Sequence, residues 1–136
     1  MISGEQFVRM VAERTGLDTD GAARATSAVL ETLAERIAGG DVHDLISRLP
    51  ALLHGPLKQG VARSGGTAHR MSVDEFLQRV ADGEAVSSET AREHVRAVLS
   101  VLREAVDEEF FDIRAQLGPE YSSVIPAPEA AKPRSR

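Results

Sequence analysis

Apolar residues recur at steps of three and four through Ala22, Ala25, Val29, Leu33 and Ile37, with Thr26 and Leu30 beside them. That spacing puts them on one face of a helix over Ala22–Ile37. The centre of this stretch, Ala28-Val29-Leu30 followed by Leu33, returns 69 residues later as Ala97-Val98-Leu99 followed by Leu102. The same displacement carries Phe7 onto Phe76 and Val11 onto Val80. The pattern predicts one helical unit written twice, each organised around a long helix.

The flanking elements follow from punctuation. Ser3 with Gln6 forms a capping box ahead of a first helix carrying Phe7, Met10 and Val11, and Gly16 ends it. Asp18 or Thr19 caps the long helix, whose polar side carries Arg24, Glu31 and Glu35, and Gly39-Gly40 stops it. Asp41 opens a third helix with Val42, Leu45, Ile46 and Leu49 inward. Pro50–His54 makes a last turn, and Gly55-Pro56 breaks the chain. Residues 58–71, with three glycines and no periodicity, read as a flexible linker. The second unit opens with Ser72 and Glu75 as another capping box, and Ser87 or Ser88 caps its long helix, with Ala91, Val95, Val98 and Val106 inward. Phe110, Ile113 and Leu117 answer Val42, Leu45 and Leu49 at an offset of 68, so one residue is lost from the turn between. Gly118-Pro119, Tyr121 and Ile125 close the body. No stretch reads as a strand. The expected fold is all-α: a helical bundle of two tandem quasi-equivalent repeats, 3–57 and 72–125, sharing one core in a single domain, 1–125. The proline-rich tail, 126–136, is expected to be disordered.

With 136 residues, the whole chain can build a core, whereas either half alone would be marginal. Aromatic residues make up only 4% and there is no Trp, so that core must come from Ala, Val, Leu and Ile. The lack of Cys excludes disulfides, thiolate metal sites and Cys nucleophiles. No apolar run approaches the ~20 residues of a membrane span, and the opening MISGEQFVRM does not read as a secretory signal. A cytoplasmic location is expected. The net charge of −5 is uneven: −3 over 1–57, +3 over 58–71, −7 over 72–125 and +2 over 126–136. An acidic helical body with a basic linker and tail is a poor match to a nucleic-acid-binding domain.

Candidate chemistry is sparse. Asp41, His43 and Asp44 form the one close His/carboxylate group, but adjacent helical positions do not face one another. His94 stands where the first repeat has Ala25 and reads as a partly buried core residue. His54 and His69 lie in loop-like stretches with nothing nearby to orient them. Asp107, Glu108, Glu109 and Asp112 match no calcium loop and suit the first turn of a helix. Gly60, Gly65 and Gly66 lie among Lys58, Arg63 and Arg70 without the order of a phosphate-binding loop. No catalytic, cofactor or metal residue is assigned, and the protein is expected not to be an enzyme.

The segments EFLQRVA at Glu75–Ala81, AVLSVLREAV at Ala97–Val106 and FDIRAQLGPEY at Phe111–Tyr121 resemble the bacterial family catalogued as domain of unknown function 2267. The resemblance covers roughly Glu5–Ile125. The family commonly has Leu-Pro after the third helix of each repeat; Leu49-Pro50 keeps it, and Leu117-Gly118-Pro119 departs from it. The resemblance implies a helical fold and supplies no catalytic residue. The function it leaves open is that of a non-enzymatic interaction or scaffold protein, with a protein partner or self-association. The alternatives are a carrier for a small apolar ligand held between the repeats, and weak nucleic-acid binding through the basic linker and tail.

Overall fold

The computed structural model describes residues 2–125. Seven α-helices follow in order: α1 (Gly4–Thr15), α2 (Thr19–Arg36), α3 (Gly39–Arg48), α4 (His54–Ser64), α5 (Val73–Glu84), α6 (Ser88–Ala105) and α7 (Asp107–Leu117). Single 3-10 turns at Ala51–Leu53 and Pro119–Tyr121 follow α3 and α7. Among the described residues there is no strand, and no helix is long and apolar enough to cross a membrane. The expected tail, 126–136, lies outside the described residues.

The caps act as the sequence predicts at most ends. Ser3 and Gln6 close a reciprocal box at the start of α1, and Gly16 ends it in the left-handed region at φ 80°. Asp18 caps α2 by accepting from the Gly21 N–H, and Ser87 caps α6 by accepting from the Thr90 N–H. At α5 the box is only half made. Ser72 accepts from the Glu75 N–H, but the Glu75 carboxylate turns to Arg79 instead of back to the Ser72 N–H.

Helix α4 corrects the expectation of a linker over 58–71. Residues 58–64 are helical, and only the stretch from Gly65 to the start of α5 is a connection. Gly55 and Pro56 do not break the chain but sit in the first turn of α4, where a proline costs no helical hydrogen bond. Gly60 lets α4 cross α2 closely: a Cβ there would lie 2.3 Å from the Glu31 carbonyl oxygen and 2.5 Å from the Ala34 Cβ. Gly39 and Gly40, expected to stop α2, instead begin α3. Helix α2 has already ended at Arg36, and the Gly39 N–H donates to the Gly66 carbonyl after α4.

The helix bounds repeat with the predicted displacement. Helix α5 lies 69 residues after α1 and α6 lies 69 after α2, residue for residue, and the turn at Pro119 lies 68 after that at Ala51. The packing repeats as well. Helix α1 packs on α2 as α5 packs on α6, while α1 on α6 mirrors α5 on α2. Helix α2 meets α6, and α3 meets α7, across the centre of this approximate two-fold exchange. Arg48 of α3 pairs with Glu109 of α7, and in the mirrored positions Gln116 donates to Asp41. Among the described residues, which end at 125, helix α4 has no counterpart in the second half. One hydrophobic cluster runs through both halves and includes Phe7, Val29 and Leu33 from the first and Phe76, Val98 and Leu102 from the second.

Candidate functional site

Where α4 and α5 cover α2, the helix buries polar groups. Glu35, predicted on a solvent face, is 3% exposed. Its two carboxylate oxygens accept from Arg63 of α4 at 2.9 Å and Arg79 of α5 at 2.6 Å. Arg63 also reaches Glu31 at 3.0 Å, and Arg79 reaches Glu75 at 3.3 Å. Glu35, by its hydrogen bond, raises the Arg63 guanidinium above its ordinary pKa. A cavity of about 330 Å³ opens here beside Thr32, Asp82 and Gly83. Glu31, Glu35, Arg63 and Arg79 are paired with one another, and Asp82 accepts from Gln78 at 2.9 Å, so the cavity presents little unmet demand for a ligand.

A second buried pair joins α5 to α6. The His94 Nδ1 lies 2.7 Å from the Glu84 Oε1, both side chains are buried, and among the described residues the Glu84 Oε2 has no hydrogen-bond partner. In the first half the equivalent positions hold Thr15 and Ala25. His94 is therefore a core residue as its position on the apolar stripe suggests, and Glu84 is the partner that sequence reasoning missed.

The remaining candidates are separate from one another. His43 and Asp44 are exposed on α3, and Asp41 is held by Gln116. The His54 Nε2–H donates to the Leu49 carbonyl at 2.7 Å and ties α4 to the end of α3. The His69 backbone N–H donates to the Glu35 carbonyl, and its side chain is exposed. Asp107, Glu108 and Glu109 fill the first turn of α7. Gly60 serves the helix crossing, and Gly65 and Gly66 turn the chain at positive φ after α4. Among the described residues, no group of three or more His, Asp or Glu could hold a metal ion.

The two-fold exchange also repeats a surface groove. Between α1 and α6 a cavity of about 480 Å³ is lined by Arg14, Arg92, Glu93, Arg96, Ala97 and Ser100. Between α5 and α2 a cavity of about 290 Å³ is lined by the positions equivalent to those six: Gly83, Ala23, Arg24, Ser27, Ala28 and Glu31. Their shape is inherited from the repeat, but their charge is not. The first groove has three arginines and one acid on its walls; the second has one of each. In the first groove Arg14 is oriented by Ser100 and Glu104, both at 2.7 Å, and Arg92 by Ser123 at 2.8 Å. Arg96 is exposed, one helical turn from Arg92.

Where the halves join, Arg36 at the end of α2 is 7% exposed and donates to the Gln116 carbonyl at 2.9 Å. Its guanidinium lies 5.5 Å from the centre of the Tyr121 ring. The Tyr121 hydroxyl donates to the Met71 carbonyl at 2.7 Å, and its ring meets Phe76 edge-on. Burial pushes the Tyr121 hydroxyl above its ordinary pKa, with Arg36 acting in the opposite sense.

A family described as an uncharacterized conserved protein, DUF2267, matches residues 4–124, and the chain belongs to that family. No curated protein matches the chain.

Proposed function

We propose that this member of the DUF2267 family is a non-catalytic interaction module of the cytoplasm, and that the α1/α6 groove is the surface it offers to an acidic segment of a protein partner. The supporting observation is the divergence of the two grooves. Arg92 and Arg96, beside an Arg14 already paired with Glu104, stand where the other groove has Ala23 and Ser27, in a chain of net charge −5. Arg92 and Arg96 are like charges at i and i+4, which costs a helix roughly 0.2–0.5 kcal/mol, and a bound carboxylate relieves that cost. Guanidinium groups suit carboxylates because their forked donors match both oxygens.

The alternatives have less behind them. The cavities described here are lined by charged side chains, which does not favour an apolar ligand. Nucleic-acid binding through the linker loses one of its cations, because Arg63 is engaged by Glu31 and Glu35.

The test is fluorescence polarisation with a labelled Glu/Asp-rich peptide and a labelled DNA oligonucleotide of equal length. The expected result is salt-sensitive peptide binding that is lost in the Arg92→Glu/Arg96→Glu variant and retained in His43→Ala. Equal peptide binding by wild type and the charge-reversed variant defeats the proposal, as does a preference for DNA.

A further inference from the structure

We infer that the junction between the two halves is a binding site for a small oxyanion, a phosphate or carboxylate group, held by Arg36 with Arg70 and the N-terminus of α5. A cavity of about 580 Å³ opens at this junction, and Arg36, Arg70, Ser72, Glu75, Gln116 and Glu120 are among the residues lining it. It is distinct from the α1/α6 groove.

Arg36 is the first observation. It is a buried guanidinium, and among the described residues no carboxylate lies within ion-pair distance of it. Among the described residues its Nε is buried without a hydrogen-bond partner, and what it meets is one carbonyl and the ring and hydroxyl of Tyr121, with no anion. A buried cation supported this thinly is costly, and an anion in the adjoining cavity supplies the missing counter-charge. Packing alone does not demand an arginine here, because the equivalent position after α6's last full turn is Ala105.

The second observation is independent. Ser72 and Glu75, both lining the cavity, begin α5. In α1 the Ser3 N–H is taken by Gln6. In α5 the corresponding carboxylate of Glu75 is turned away to Arg79, so the Ser72 N–H is not closed off by a capping box. Open amides at the start of a 12-residue helix favour an anion through their donors and the helix dipole. Arg70 adds an exposed cation on the rim, two residues ahead of that start. Two acids share the lining: Glu75 is paired with Arg79, and Glu120 offsets one of the two arginines, which suits one oxyanion group rather than a polyanion.

The chain has one Tyr and no Trp, and that Tyr is the one under Arg36, so its intrinsic fluorescence reports on the site directly. The experiment titrates the full chain with sodium phosphate and, separately, with sodium succinate, at ionic strength held constant with sodium chloride. The expected result is a saturable change in Tyr121 emission with one or both salts, accompanied by a rise in Tm. Arg36→Met, which keeps the buried aliphatic stem, abolishes it, and Arg70→Glu, on the exposed rim, weakens binding at least about tenfold. Whichever salt saturates names the oxyanion. A response that merely tracks ionic strength, or an affinity unchanged in Arg70→Glu, overturns the assignment.

Discussion

Glu35 shows how a single carboxylate can hold three helices together. It is anchored in α2, and both its oxygens are taken by arginines from α4 and α5. Those arginines are substantially exposed, so losing the acid leaves them able to hydrate, and the cost is that of the lost charged hydrogen bonds. We predict that Glu35→Gln lowers stability by about 1.5–3 kcal/mol in urea melts. Ala85 is a different case. It holds φ at 61°, where its counterpart Gly16 holds 80°, and a side chain is disfavoured in that region. Ala85→Gly should therefore stabilise the protein by roughly 0.5–1 kcal/mol, against the usual direction for glycine. Tyr121 sets the alkaline limit. Because burial raises its pKa, the folded state keeps the phenol proton to higher pH than the unfolded state does. The stability this lends is fully present below about pH 10 and is lost as pH rises through the folded value. Tyr121→Phe should cost about 1 kcal/mol at neutral pH through the lost bond to Met71. It should also flatten the fall in stability measured by urea melts as pH rises above about 10.

At the scale of elements, the long helices and their partners were legible because Leu, Val and Ala repeat at helical spacing and because Ser3, Asp18 and Ser87 provide their own caps. Helix α4 was not. Its two glycines, Pro56 and few apolar residues look like a connection, since its buried face is Leu57, Gly60 and Ser64 rather than a leucine stripe. Missing α4 also hid Glu35, whose face of α2 looks solvated until α4 covers it. The two glycines Gly60 and Gly55 separate these effects. An alanine in a helix is ordinarily favoured over glycine by about 0.5–1 kcal/mol. Gly55 has nothing within 4 Å of its missing Cβ, so Gly55→Ala should stabilise. Gly60→Ala drives a methyl group into the α2 backbone and should destabilise by about 1–3 kcal/mol. A more stable Gly60→Ala variant in chemical melts would contradict the close crossing.

At the scale of the whole molecule, the apolar residues of both halves form one cluster. Leu33 and Leu102 occupy equivalent, fully buried positions in it. We predict that Leu33→Ala and Leu102→Ala each cost about 2–5 kcal/mol and shift one common transition. Two resolved transitions by circular dichroism would show that the halves unfold separately. Arg36 and Gln116 were illegible at the sequence level for the same reason that they matter: each finds its contacts in the opposite half, and helical periodicity describes only its own strip of chain.

The exchange of α1 with α5 and of α2 with α6 has the form of an isologous interface, the kind by which two identical subunits meet. Here the two subunits are joined in one polypeptide. In a true homodimer every substitution appears twice, so a basic groove on one side is a basic groove on the other, and a tyrosine under an arginine comes as a pair. Covalent joining removes that constraint. Arg14, Arg92 and Arg96 face Gly83, Ala23 and Ser27 across the axis, and Arg36 and Tyr121 face Ala105 and Leu53. The fold thus keeps the mechanical economy of symmetry while carrying different chemistry at sites that symmetry would have forced to be alike.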